Sequence, residues 1–255
     1  MILDEIVKEK LKEVDALKGK IKLPIDKKSL QKIRGFKKAI NGRGIHLIAE
    51  TKAASPSAGV IFDKYVPENI AAIYEKAGAS AVSVLTDVTY FNGSIDDLER
   101  VRNSIKLPVL RKDFIIDEVQ IYESRLAGAD AILLIARILD RDELEDFIEL
   151  AGELGMDAIV EVHSAKEART ALEAGAEIIG INNRDLDTLK VDMNNSINII
   201  NEVPELKKKV LVSESGISEN GQVELLKAAG VKAILVGESI LKSPDMGKKI
   251  RELVA

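Results

Sequence analysis

The chain has 255 residues, 46% hydrophobic and 31% charged, with a net charge of −5. That length buries a large core as one big domain or two small ones, and α/β barrels run to it as a single domain. The lack of cysteine excludes disulfides, thiolate nucleophiles and Cys-ligated metals, and without a basic excess no nucleic-acid partner is expected.

The N-terminus, Met1-Ile2-Leu3-Asp4-Glu5, carries acid where a signal peptide needs base. No apolar run approaches the ~20 residues of a membrane span. No membrane partner is expected, and the location read from this is cytoplasmic. High Lys and Glu without Cys fits a heat-adapted source. Ile6, Leu11, Val14 and Leu17 have rough helical spacing, so residues 1–44 read as an N-terminal helical extension packed on the rest of the chain. The Lys-rich stretch from Lys27-Lys28 to Lys37-Lys38 is interleaved with apolar residues and reads as the solvated side of a helix.

From Ile45 onward the chain repeats itself. In five places a helix ends on Gly and a short apolar strand comes next, with the glycines at 78, 128, 155, 175 and 230. Glycine after a helix takes the left-handed cap conformation without a Cβ penalty. The unbroken apolar runs suit strands buried on both faces. Leu107-Pro108-Val109-Leu110 and Lys209-Val210-Leu211-Val212-Ser213 fill the two double-length gaps, and Ile45-His46-Leu47-Ile48-Ala49 precedes the series. That makes eight strands. Amphipathic helical patterns lie between them, clearest at Glu68–Tyr74 and Arg141–Leu150. Eight βα units in ~210 residues predict an α/β fold, a (β/α)8 TIM barrel, with the whole of 1–255 as one barrel domain. An open doubly wound sheet is the alternative. It would normally show a Gly-rich dinucleotide fingerprint after an early strand, and none is here.

In such a barrel the chemistry sits at the C-terminal ends of the strands. Here they end, in order, on Glu50 with Lys52, Thr86-Asp87, Arg111-Lys112-Asp113, Ala136-Arg137, Glu161, Asn182 with Arg184, Glu214-Ser215-Gly216, and Gly237-Glu238-Ser239. Any one of these could be ordinary loop charge; converged at one mouth they predict a polar pocket. Side chains alternate along a strand, so Arg111 and Lys112 point opposite ways, and parity alone leaves open which faces the lumen. The small-residue turns Ser215–Ser218 and Gly237–Ile240 lead into helices after strands 7 and 8, where barrels often bind phosphate. Plain helix capping, with Ser218 as the cap, is the competing reading.

Several of these stretches are familiar. Glu50-Thr51-Lys52-Ala53-Ala54-Ser55-Pro56-Ser57 resembles the first-strand signature of the indole-3-glycerol-phosphate synthase family, and Leu110-Arg111-Lys112-Asp113-Phe114 its third-strand motif. Ile181–Leu186, Ser213–Ile217 and Val236–Ser239 are similar to its later motifs in the same order. The resemblance implies a (β/α)8 barrel with an N-terminal helical extension. The implied enzyme is a carboxy-lyase of tryptophan biosynthesis. It would convert 1-(2-carboxyphenylamino)-1-deoxyribulose 5-phosphate into indole-3-glycerol phosphate, CO2 and water, without cofactor or metal. It implies Lys112 as general acid, Glu161 as general base and acid, and Glu50 as a carboxylate close to the lysine. Lys52 would lie near the substrate carboxylate, with Asn182 and Arg184 on its hydroxyl and anthranilate end. Ser55, Ser215, Gly216, Gly237 and Ser239 would form the phosphate and pocket rim. Phe91, Phe114, Leu133 and Leu186 would wall the aromatic ring. Glu214, counted with the substrate-binding set, would order the mouth. Ala53 and Ala58 stand where many members carry lysine, which affects loop charge rather than the reaction. A monomer is expected.

His46 opens strand 1 away from the mouth and reads as structural, and His163, which follows Glu161 at strand parity and could be an acid/base partner, reads more readily as a polar loop start. Two other functions stay in view: a related phosphate-barrel isomerase, for which the usual Asp or Cys acid/base pair is missing, and a non-catalytic or engineered barrel scaffold. Arg111 is expected to face the helix layer and pair with an acid.

Overall fold

A computed structural model describes residues 2–255, apart from 22, 24, 26–29, 56–58, 63–64 and 187. Eight parallel strands close into a barrel: β1 His46–Thr51, β2 Ala81–Leu85, β3 Val109–Lys112, β4 Ala131–Ile135, β5 Asp157–Val162, β6 Ile178–Asn182, β7 Val210–Glu214 and β8 Ala233–Val236. Each strand pairs with its sequence neighbours, and β1 closes on β8 through His46–Ala49 against Ala233–Val236. The fold is a (β/α)8 TIM barrel, and the N-terminal helix Ile2–Lys18 lies outside the repeat. The five repeated glycines all adopt left-handed φ, from 82° at Gly155 to 103° at Gly230. Each ends a helix and turns the chain into the next strand.

Two separate apolar clusters define the layers. One lies between the strands and the outer helices and includes Val109, Ile132, Val160 and Ile179. The other fills the lumen with Ile48, Leu110, Leu133, Ile159, Ile178, Val212 and Leu235. Alternation then fixes every other position. Val109 faces the helices, so Arg111 does; Leu110 faces the lumen, so Lys112 does. The register agrees, pairing Leu85 with Lys112 and Ile135 with Glu161.

The lower end of the barrel corrects the reading of the Lys-rich stretch. Lys27 and Lys28 lie outside the described residues. Between them and β1 the described residues form one helix, the single turn Phe36–Ala39, and Phe36 and Ile40 are fully buried in the lumen cluster. This segment is a plug. Its backbone is held by carboxylates at the strand starts: Arg34 N–H donates to Asp130 at 2.7 Å and Lys37 N–H to Asp157 at 2.8 Å. In the N-terminal helix the buried stripe is Leu3, Ile6, Lys10 and Val14, whereas Leu11 is 54% exposed. The expected apolar spacing was therefore one residue out at Leu11. Among the described residues no helix is long and apolar enough to cross a membrane.

Candidate active site

With apolar layers filling the lower lumen, the top layer is left to Glu50, Lys112, Glu161, Asn182 and Glu214. Lys112 Nζ lies 2.6 Å from Glu161 Oε2 and 3.1 Å from Glu214 Oε2. Glu50 Oε1 lies 2.5 Å from Lys52 Nζ, so its direct partner is that lysine; its field still reaches Lys112. Two glycines make room for these carboxylates. A Cβ at Gly180, the lumen position of β6, would collide with Glu214 Oε1, and one at Gly237 would stand 2.6 Å from Glu50 Oε1. At both positions a side chain could enter only by moving a carboxylate of the mouth.

Burial alone would strip the charge from Lys112, but Glu161, Glu214 and Glu50 outweigh it and hold the ammonium charged. Burial also favours a neutral Glu161, yet Lys112, His163 and a hydrogen bond from Asn182 pull its pKa down to about 2. Glu214 goes the other way, up to about 7: burial dominates, Lys112 opposes, and the charges of Glu161 and Glu50 add to the rise. Of two carboxylates on one lysine, one stays ionised and the other keeps its proton into the neutral range. Splitting of this kind marks acid/base sites. Glu214 Oε1 is buried and has no hydrogen-bond partner among the described residues.

Around this centre the structure forms one cavity of about 450 Å³. Its lining takes in Lys112, Glu161 and Glu50; Lys52, Asn182 and Arg184; the rim residues Ser55, Ser215, Gly216, Gly237 and Ser239; Glu214; and the apolar Phe91, Phe114, Leu133 and Leu186. The Phe91 and Phe114 rings stand 6.3 Å apart at a 38° tilt. Arg184 Nη1 donates to Leu189 O at 3.0 Å, and its Nη2 sits 3.7 Å from Glu238. Ser215 takes a left-handed φ of 68° before Gly216, and Ser239 Oγ donates to Ile217 O at 2.8 Å, tying the β7 and β8 turns together. Ser218 is not a helix cap: Asn220–Ala228 is capped by a reciprocal Glu219–Gln222 box, and Ser218 N–H donates to Gln222. Ala58 lies outside the described residues.

Sequence reasoning missed some of this lining. Leu3 and Ile6 of the N-terminal helix reach the cavity, as do Leu189 and Lys242. The i, i+3 spacing of Leu3 and Ile6 signals a buried face but not a pocket wall. His163 is more than a loop start. Its ring lies between Glu161 and Glu167, with 3.4 Å from each nitrogen to a carboxylate oxygen, and is nearly buried. Burial lowers its pKa, but Glu167 and Glu161 together raise it above 6.5. His46 is structural, accepting from Gly42 N–H at 2.9 Å and contacting Ser80 Oγ at 3.1 Å. Among the described residues no group of three or more metal-ligating side chains comes together.

The fold and the mouth define a class: a (β/α)8 barrel with a charged, acid/base-competent pocket at the C-terminal ends of its strands. The sequence profile of indole-3-glycerol phosphate synthase matches residues 3–253, and the chain belongs to that family. It is 47% identical to the indole-3-glycerol phosphate synthase of Endomicrobium trichonymphae, with 99% of each chain covered. The Acetivibrio thermocellus enzyme of that name is 46% identical over the full length of both chains, and the Aquifex aeolicus one 48% identical over 86% of this chain and 85% of its own. Among solved structures, thiamine phosphate pyrophosphorylase from Pyrococcus furiosus superposes with a TM-score of 0.60 at 18% identity, covering 82% of this chain and 93% of its own. That likeness speaks to the fold alone.

Proposed function

We propose that this protein is an indole-3-glycerol-phosphate synthase: it closes the pyrrole ring of 1-(2-carboxyphenylamino)-1-deoxyribulose 5-phosphate with loss of CO2 and water. The observation that carries this reading is Lys112 at the lumen mouth, its Nζ 2.6 Å from Glu161 and 3.1 Å from Glu214, lining one cavity with Glu50, Asn182 and the aromatic pair Phe91 and Phe114. Ring closure needs a proton delivered to the ribulose C2 oxygen as the aromatic carbon attacks. Lys112 supplies it, and the cation also stabilises the developing charge. CO2 then leaves and restores the ring's aromaticity. The final dehydration removes a proton from the ring side and protonates the departing hydroxyl. Glu161, ionised and 2.6 Å from Lys112, takes up the ring-side proton and returns it to the departing hydroxyl, which leaves as water, and Lys112 regains from solvent the proton it gave at ring closure. A protonated Glu214 reduces the negative charge around Lys112 and so makes it a better acid than three ionised carboxylates would.

The ends of the substrate fit the ends of the pocket. The phosphate would sit on the turns at Ser215-Gly216 and Gly237–Ser239, with Ser55 at the rim, and the aromatic ring against Phe91, Phe114, Leu133 and Leu186. Lys52 would face the substrate carboxylate, and Asn182 and Arg184 its hydroxyl and anthranilate end. Glu50 keeps Lys52 in place. We take the chain to act as one domain, as a cytoplasmic monomer, without nucleic-acid partners and without a metal or cofactor. The test adds the carboxyphenylamino-deoxyribulose phosphate and follows indole fluorescence. Signal growth with the wild type and its loss in Lys112→Ala is expected; a silent wild type, or an unimpaired variant, overturns the assignment. Turnover of phosphoribosylanthranilate instead would point to an isomerase.

A further inference from the structure

Lys10 is a lysine in the middle of the N-terminal helix, and it is 1% exposed. Its Nζ meets three carboxylates: Glu13 at 2.7 Å on its own helix, Asp87 at 2.9 Å and Asp113 at 2.9 Å. The two aspartates come just after the ends of β2 and β3, and both are buried, at 1% and 2% exposure. Each divides its oxygens between Lys10 and its own loop. Asp87 Oδ1 accepts from Tyr90 N–H at 2.7 Å and caps the turn Val88–Phe91, while Oδ2 goes to Lys10. Asp113 Oδ1 accepts from Phe114 N–H at 2.8 Å and also meets Lys10, while Oδ2 takes Thr86 Oγ1 and Arg111. The loops held in this way carry Phe91 and Phe114, the facing pair of the cavity wall, and the helix that carries Lys10 adds Leu3 and Ile6 to the same wall.

We infer that Lys10 is a positioning residue for the aromatic end of the pocket: it latches the N-terminal helix to the β2 and β3 loops and so sets the spacing of Phe91, Phe114, Leu3 and Ile6. Burial works against its charge, and the two aspartates more than restore it. Without Lys10, Asp87 would be a buried charge with no paired cation among the described residues, and buried anions escape that state by moving toward water. The Val88–Phe91 turn would move with it. The phosphate end, built from the β7 and β8 turns, shares no hydrogen bond with the latch among the described residues. The effect should therefore be confined to one end of the substrate.

This inference rests on the proposed reaction, and the experiment separates the two. Wild-type turnover is measured first; its absence defeats the reaction assignment and removes the basis of the latch with it. With turnover in hand, Lys10→Met should raise KM for the phosphorylated substrate about tenfold, equivalent to one buried contact's worth of binding, with kcat within about threefold. Inhibition by inorganic phosphate should be unchanged, and Lys10→Arg should recover most of the lost affinity. Asp87→Asn, which keeps the Tyr90 acceptor and removes the charge facing Lys10, should give the same split and serves if Lys10→Met does not fold. An unchanged KM, a fall in kcat alone, or parallel weakening of phosphate and substrate would overturn the inference.

Discussion

Arg111 and Lys112 are neighbours on β3, yet they lie in opposite kinds of surroundings. Arg111 is saturated. Its guanidinium reaches Thr86, the Gln120 carbonyl, Ser124, Asp113 and Glu123, all between 2.9 and 3.1 Å. Lys112 has two carboxylates on one side and an open cavity on the other, and the second of those carboxylates retains an oxygen with no partner among the described residues. A structural charge is surrounded until nothing is left to bind. A charge that meets substrate is held with part of its shell missing, and its neighbours' protonation is shifted in return. The largest effect expected from breaking this contrast is on rate. Lys112→Met should lower kcat per folded molecule by about 10²–10⁴-fold, the usual worth of one placed acid; Glu161 and Glu214 lose their shared cation, so some stability goes with it.

Arg111→Met should do the reverse. It leaves Asp113 buried with one cation fewer, and breaking a buried pair by removing one partner costs about 3–5 kcal/mol. Denaturant unfolding should show that loss, while kcat per folded molecule stays within a few-fold. If Arg111→Met abolishes turnover in folded protein and Lys112→Met does not, the lumen assignment of β3 is wrong.

Much of this was legible in the residues, and the gaps have physical causes. The five helix-ending glycines announced the barrel because a left-handed cap leaves a direct chemical mark. The polar strand ends announced the mouth. Parity was illegible: alternation has two solutions, and both cations satisfy either. The family resemblance chose Lys112, and the seating of Leu110 in the lumen agrees with that choice. The plug was hidden for a similar reason. Lys32, Lys37 and Lys38 dominate its composition, whereas the informative signal was the i, i+4 pair Phe36 and Ile40. Lys10 looked like one more charge on an amphipathic helix. Gly180 was concealed inside an apolar run, where a glycine reads as filler.

Gly180→Ala tests that last point and should have a smaller effect. The added methyl meets Glu214 Oε1 and lies 3.0 Å from Ile159 Cγ2. Overpacking of this sort costs about 1–3 kcal/mol. Because the atom displaced belongs to Glu214, kcat should also fall, by about tenfold for roughly 1.4 kcal/mol lost at the transition state. A stable variant with full activity would show that the Lys112 cluster tolerates movement.

The subtlest expected effect is a change in the shape of a pH profile. Glu214 has a folded pKa of about 7 against an ordinary 4.5. As pH rises through about 7 it ionises, adds negative charge beside Lys112 and makes that lysine a poorer acid, so wild-type kcat should decline there. Glu214→Gln keeps the neutral form at every pH and should flatten the decline, with kcat near the wild type's at pH 6. The stability sign is independent. Between pH 4.5 and about 7 the unfolded chain has already released this proton and the folded chain has not, so stability is lost as pH rises across that window. Glu214→Gln should remove the loss, gaining on the wild type at pH 7.5 relative to pH 4.5. His163, its pKa lowered by burial but raised on balance by Glu167 and Glu161, is the other titratable group beside Glu161. If Glu214→Gln keeps the decline and His163→Gln abolishes it, the proton that tunes Lys112 lies on the histidine and reaches the lysine through Glu161.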